Sequence, residues 1–181
     1  MDFNKPTAKY KNNFIFRTLD PKGFKCPAHS HIRKVNPRET TPLTSASGER
    51  KHRIARRGIP YGKPMPKICD DVDTDPNPAG DRGLLFLCFQ ANVEKQFEFI
   101  QRTWCDNPNF PTNIVNLPGI FGGKDTGDDP LIGQDPDERQ KWPKVWGNSA
   151  AGTAKFNFEA AVTLKGGEYF FAPSLPFVKS L

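Results

Sequence analysis

The run Gly83-Leu84-Leu85-Phe86-Leu87-Cys88-Phe89-Gln90 is apolar without alternation and lies between turn-like flanks, the pattern of a strand buried on both faces. Directly after it, Val93, Phe97, Ile100 and Trp104 recur at i, i+4, i+7 and i+11, one face of a helix. Asn92 suits the N-cap of that helix and Glu94 its first turn. Further on, Phe156, Phe158, Ala160, Val162 and Leu164 alternate with Asn157, Glu159, Ala161, Thr163 and Lys165, which predicts a strand with one buried face. Gly166-Gly167 then breaks or bulges it ahead of Glu168-Tyr169-Phe170-Phe171. Strand, helix and strand make the class α+β, with an antiparallel sheet.

Residues 62–82 and 106–155 read mostly as Pro/Gly/Asp loop. A compact domain rarely carries a structureless loop beyond about 15 residues unless that loop is functional. Two strands and one helix bury too little apolar area to order both stretches. A large ligand or further protein is expected to supply the rest, so the chain reads as incomplete. The 18 Pro and 15 Gly in 181 residues agree with a loop-rich fold, while 15 Phe argue against a disordered polymer. No apolar run approaches the roughly 20 residues of a membrane helix. The opening Met1-Asp2-Phe3-Asn4-Lys5 lacks the apolar stretch of a signal peptide, which points to the cytoplasm. Cys26, Cys69, Cys88 and Cys105 form no CxxC, so a zinc ribbon or a thioredoxin-like pair is excluded and free thiols are expected.

The net charge of +6 conceals an asymmetry. Residues 1–67 hold 16 Lys/Arg against 4 Asp/Glu, whereas residues 68–181 hold 10 against 16. A basic first third suits an anionic partner (nucleic acid, a phosphorylated ligand or one with carboxylates), unless it is simply a solvated face. A nucleic-acid module is disfavoured, because no helix-turn-helix, RNP or zinc-finger pattern is present. All three histidines lie in this third. In an extended segment His29 and His31 point to one side, so with His52 a three-histidine zinc site is one reading; surface or hydrogen-bonded histidines are the plain one.

A more specific signal lies in five collinear blocks from about residue 24 to the end. The segment Cys26-Pro27-Ala28-His29-Ser30-His31-Ile32-Arg33-Lys34-Val35-Asn36-Pro37-Arg38 resembles the CPxxAHIRKxNPR signature of dye-decolourising (DyP-type) haem peroxidases. Arg53-Ile54-Ala55-Arg56-Arg57-Gly58-Ile59-Pro60-Tyr61-Gly62 is similar to that family's RIxRRGIPYG stretch. The strand and helix already noted resemble its GLLFLCFQ and QFEFIQxxW blocks. Asp129-Pro130-Leu131-Ile132-Gly133 and the stretch from Gly166 to Leu175 close the series. The family's GxxDG motif, whose Asp is the distal acid–base residue, has no match upstream of Cys26. The resemblance therefore covers only the C-terminal half of the family's fold, with residues 1–181 as one haem-binding part.

The resemblance implies a ferredoxin-like antiparallel sheet with helices, of the dimeric α+β barrel type. It implies haem b as cofactor and hydrogen peroxide-driven oxidation of dyes or other organic donors through a ferryl haem. His31 takes the place of the proximal iron ligand, and Asp129 that of the carboxylate fixing its tautomer, with Asp128 as the neighbouring alternative. Arg56 matches the catalytic distal arginine, Arg57 being the adjacent competitor. Arg33 is the candidate for a haem propionate. Leu84 and Phe86 are candidates for the distal pocket wall, or else plain core. Trp104, Trp142, Trp146 and Tyr169 are aromatic candidates for electron relay, again with core packing as the alternative. The implied partners are peroxide, an organic reductant and the N-terminal half of the fold, with homo-oligomer formation open and neither nucleic acid nor membrane involved. A non-catalytic remnant is the rival reading.

Overall fold

The computed structural model describes residues 14–39, 46–62, 82–111, 126–133, 139–157 and 162–181. The apolar run forms strand, in two short pieces of one ribbon. β1 (Ala55–Arg56) pairs antiparallel with β4 (Cys88–Phe89), and β2 (Ile59–Tyr61) with β3 (Gly83–Leu85). One unslipped register carries through from Ala55↔Phe89 to Tyr61↔Gly83, and between the pieces the Arg57 N–H donates to the Leu87 carbonyl at 2.6 Å.

The expected burial of this run on both faces is not found. Leu85 is 63% exposed and Phe89 54%, and Leu84, Phe86 and Leu87 are exposed as well. An unbroken apolar run encodes a need for cover, and the described residues meet it only in part, as where the Phe97 ring lies 5.8 Å from that of Phe86.

The predicted helix is present as two consecutive segments, Glu94–Glu98 and Ile100–Cys105, joined through Phe99 and called here the central helix. Its turns are wide. The Glu98 N–H donates to the Val93 carbonyl and the Asp106 N–H to the Gln101 carbonyl, each five residues back. Asn92 does cap it: its Oδ1 accepts the Lys95 N–H at 2.8 Å, and Gln96 Oε1 reaches back to the Ala91 and Asn92 N–H groups. The apolar stripe buries Ile100 and Trp104 with Cys105 and Phe110, against Val35, Ile54, Phe99 and Ile132. Trp104 stacks on Phe110 with centroids 5.3 Å apart, which makes it a core residue.

Shorter elements had no period to announce them. They are α1 (Phe16–Leu19), α2 (His31–Val35), α3 (Ala46–Arg50) and α4 (Leu175–Lys179). The stretch read as loop at 106–155 contains β5 (Arg139–Pro143), which forms an antiparallel hairpin with β6 (Thr153–Asn157). The outermost described pair of the hairpin is Arg139↔Asn157. Phe158 and Ala160 lie outside the described residues, while Val162 and Leu164 are exposed and outside any strand. Among the described residues no strands close into a barrel, and no helix is long and apolar enough to cross a membrane.

Candidate functional site

His31 opens α2. The extended geometry expected for His29 and His31 is replaced by a turn into helix, because the Arg33 and Lys34 N–H groups both donate to the Ser30 carbonyl at 2.9 Å. The loop before it is built around Asp20. Its carboxylate accepts from the backbone N–H groups of Phe24, Lys25 and Cys26, and Arg33 Nη1 lies 3.4 Å from Oδ2. Cys26 Sγ meets Ser30 Oγ at 2.9 Å, tightening the last turn before the helix.

From α2 the His31 ring meets a residue 98 positions away. Nδ1 of His31 lies 2.7 Å from Oδ2 of Asp129, whose side chain is fully buried while the His31 side chain remains 26% exposed. The carboxylate divides its two oxygens. Oδ1 accepts the N–H groups of Leu131 and Ile132 at 2.9 and 3.2 Å and so fixes its own turn. Oδ2 is left for His31. A carboxylate only accepts, so a neutral imidazole here carries its proton on Nδ1 and its lone pair on Nε2. Gly133 closes the turn, its N–H donating to the Asp129 carbonyl at 2.8 Å; a Cβ there would come within 2.5 Å of that oxygen. The carboxylate on His31 is thus Asp129's, and Asp128 beside it is buried, with its carbonyl 3.3 Å from Gln140 Nε2.

The other candidates disperse. Arg33 is fully buried: its Nη1 and Nη2 donate to the carbonyls of Cys26 (2.7 Å) and Asp20 (3.0 Å), and its guanidinium lies 4.6 Å over the Phe16 ring. Burial also lowers its pKa, against the opposing charge of Asp20. That is the geometry of a brace, and it leaves the expected propionate role of Arg33 without a basis. Arg56 is exposed on β1, Leu84 is exposed on β3 with its side chain against Gly58, and Phe86 is exposed between β3 and β4. Among the described residues no hydrogen bond or ion pair joins these three to the His31–Asp129 pair.

The three histidines occupy three environments, which removes the zinc reading. His29 is buried edge-to-face on Trp142, and burial with the nearby Lys34 charge lowers its pKa to about 4 against the opposing pull of Asp129. His52 stacks on Phe99 with centroids 3.8 Å apart, and its Nδ1 is 2.6 Å from the Lys95 carbonyl. Among the described residues no three His, Cys, Asp or Glu side chains gather as a metal cluster. Two neighbours of the pair were not foreseen. Lys34 is fully buried with its ammonium on the Asn107 carbonyl at 2.7 Å. The buried Cys105 thiol beside Asp129 has its pKa pushed up, mainly by desolvation. Recognition of α2 would have placed Lys34 on the face of His31, since residues i and i+3 of a helix are neighbours.

A histidine whose Nδ1 is held by a buried carboxylate, with Nε2 left over on a partly exposed ring, is a donor that could hold a metal such as haem iron. The family model described as Dyp-type peroxidase, C-terminal, matches residues 15–116. The multifunctional dye peroxidase DyP2 of Amycolatopsis sp. is 44% identical over 170 residues, which is 94% of this chain and 35% of that protein. The solved structure of DyP2 superposes with a TM-score of 0.77 at 42% identity, over 98% of this chain and 37% of the other. A DyP-type peroxidase of Anabaena sp. gives 0.72 at 42% identity, over 98% and 34%. The fold of these proteins is ferredoxin-like α+β. The chain spans about a third of the length of the curated relatives it matches. With a family model over more than half its residues, it belongs to the DyP-type peroxidases and corresponds to their C-terminal part.

Proposed function

We propose that this chain provides the haem-bearing part of a haem peroxidase, with His31 as the residue that would hold the iron of haem b. The observation that carries the reading is the 2.7 Å contact between His31 Nδ1 and the buried Asp129 Oδ2. The group, when bound, supplies the redox chemistry for oxidising dyes or other organic donors with hydrogen peroxide. Asp129 holds the ring, keeps its proton on Nδ1 and makes Nε2 a stronger donor. Arg56, with its fixed positive fork, is the residue we assign to stabilising negative charge on the departing peroxide oxygen. Leu84 and Phe86 are exposed and apolar, as residues lining a water-poor wall against a planar ligand would be before it is covered. The excess of Lys and Arg in residues 1–67 complements a dianionic haem better than nucleic acid, for which no motif is present. Arg33 is excepted from that excess because its guanidinium is spent inside the chain.

Titration with haemin, followed at the Soret band, tests this. His31→Ala is expected to weaken binding by about tenfold or more and to change the spectrum of what remains. His29→Ala and His52→Ala are expected to leave the band of the bound form in place. Equal effects from all three histidine variants, or an unchanged spectrum in His31→Ala, would overturn the assignment.

A further inference from the structure

Lys34 is a fully buried ammonium, and desolvating an ammonium costs several kcal/mol before any hydrogen bond offsets it. An apolar residue would fill the same space more cheaply, so a role beyond filling is indicated by where its hydrogen bond goes. The acceptor, the Asn107 carbonyl, belongs to the turn that ends the central helix. That turn is stiffened by Asn107 itself, whose Nδ2 donates to the Thr103 carbonyl and whose Oδ1 accepts the Asn109 N–H. The loop bearing Asp129 hangs from the same turn by two backbone bonds of 3.0 Å: Asp129 N–H to the Cys105 carbonyl, and Gly127 N–H to the Pro108 carbonyl. The path from α2 through Lys34 to the turn, on to the Asp129 loop and back through His31 is therefore a closed ring of hydrogen bonds.

We propose that Lys34 is a positioning residue, clamping the 105–108 turn to α2 so that the Asp129 carboxylate meets Nδ1 of His31. Its functional meaning rests on His31 being the haem ligand, whereas the clamp itself does not. Lys34 and His31 are three residues apart on one face of one helix, so any slide or roll of the turn against α2 is resisted at two points. The positive charge is felt on this side of the helix, where it helps to keep His29 neutral and acts on Cys105.

The test is read on the haem-free protein, by two-bond proton–nitrogen NMR spectra of the His31 ring, which separate the Nδ1–H and Nε2–H tautomers. In the wild type the Nδ1–H form is expected. In Lys34→Met a shift toward the Nε2–H form is expected, together with haemin binding weakened by about tenfold. Ile100→Ala, a cavity in the neighbouring core, serves as a control for destabilisation alone and should leave the tautomer as in the wild type. Should Lys34→Met not fold, Lys34→Gln, which keeps an amide donor on a shorter arm, must show the same shift to a smaller degree. An unchanged tautomer in the Lys34 variant that folds would overturn the clamp, and so would an equal shift in Ile100→Ala. Failure of the wild type to bind haemin, with the Lys34 shift still present, would sink the ligand assignment and keep the clamp.

Discussion

Replacing Asp129 with Asn changes one oxygen to an NH2 group and little else, so its effect can be worked out atom by atom. Asn can still offer Oδ1 to the Leu131 and Ile132 N–H groups, and the turn is expected to persist. The other terminus then places a donor where Oδ2 now accepts, 2.7 Å from a ring nitrogen that also carries hydrogen. Two donors cannot share that distance. The ring must move its proton to Nε2, the atom required as the ligand, or break the contact. A hydrogen bond to a charged partner is worth about 1.5–3 kcal/mol, and 1.36 kcal/mol corresponds to a factor of about ten. Haemin affinity of Asp129→Asn should therefore fall by about 10–100-fold, with saturable binding retained. Soret titration gives the affinity, and ring-nitrogen NMR of the haem-free protein gives the tautomer. An Asp129→Asn protein with wild-type affinity and the Nδ1–H tautomer would refute the reasoning. A larger loss in Asp128→Asn would transfer the role to the neighbouring carboxylate.

Gly133→Ala places a methyl group 2.5 Å from the Asp129 carbonyl oxygen and 2.9 Å from Asp128 Cβ, so the turn must open. A loss of about 1–3 kcal/mol in urea unfolding is expected, and a change within about 0.5 kcal/mol would show that the turn is not held this tightly. Acidification acts through His29, whose pKa lies at about 4 in the folded chain, chiefly because it is buried. The unfolded chain takes up that proton near pH 6.5 and the folded one refuses it until about pH 4. Stability is thus full above the upper value and is lost as pH falls toward the lower, by up to about 3 kcal/mol. His29→Phe, which keeps a ring against Trp142, should flatten this dependence; urea midpoints falling equally in both proteins between pH 7.5 and 4.5 would assign it elsewhere.

The helix after the apolar run was legible because Val93, Phe97, Ile100 and Trp104 keep one face over three turns, and Asn92 marks its start. The run itself was legible as strand and illegible as to burial. Leu84 and Phe89 state a requirement for cover, and periodicity cannot say which chain meets it. The five-residue α2 is too short to show a period, so the sequence around His29 and His31 reads as an extended segment. Arg33 and Lys34 belong to the basic first third, and Arg33 is its propionate candidate, yet both are fully buried, with partners that include the carbonyls of Asp20, Cys26 and Asn107, which no residue identity reveals. Taken alone, Asp129 before Pro130 reads as a turn residue. Only the resemblance of its block to a family motif paired it with His31, because that contact lies outside any local window.

The 98-residue separation between His31 and Asp129 also orders the events of folding. Closing a loop of that length costs about 4 kcal/mol in chain entropy beyond a constant, more than the roughly 1.5–3 kcal/mol that one hydrogen bond to a charged group returns. The pair therefore cannot recruit itself from the unfolded chain. By contrast, Asp20 gathers Phe24, Lys25, Cys26 and Arg33 within 13 residues, so the loop that launches α2 can form early. The contact with Asp129 must wait until Ile100, Trp104 and Cys105 have docked near Val35 and brought the distant turn alongside. The proton on the His31 ring is consequently a late reporter: its settling on Nδ1 marks the moment at which two segments 98 residues apart have found each other.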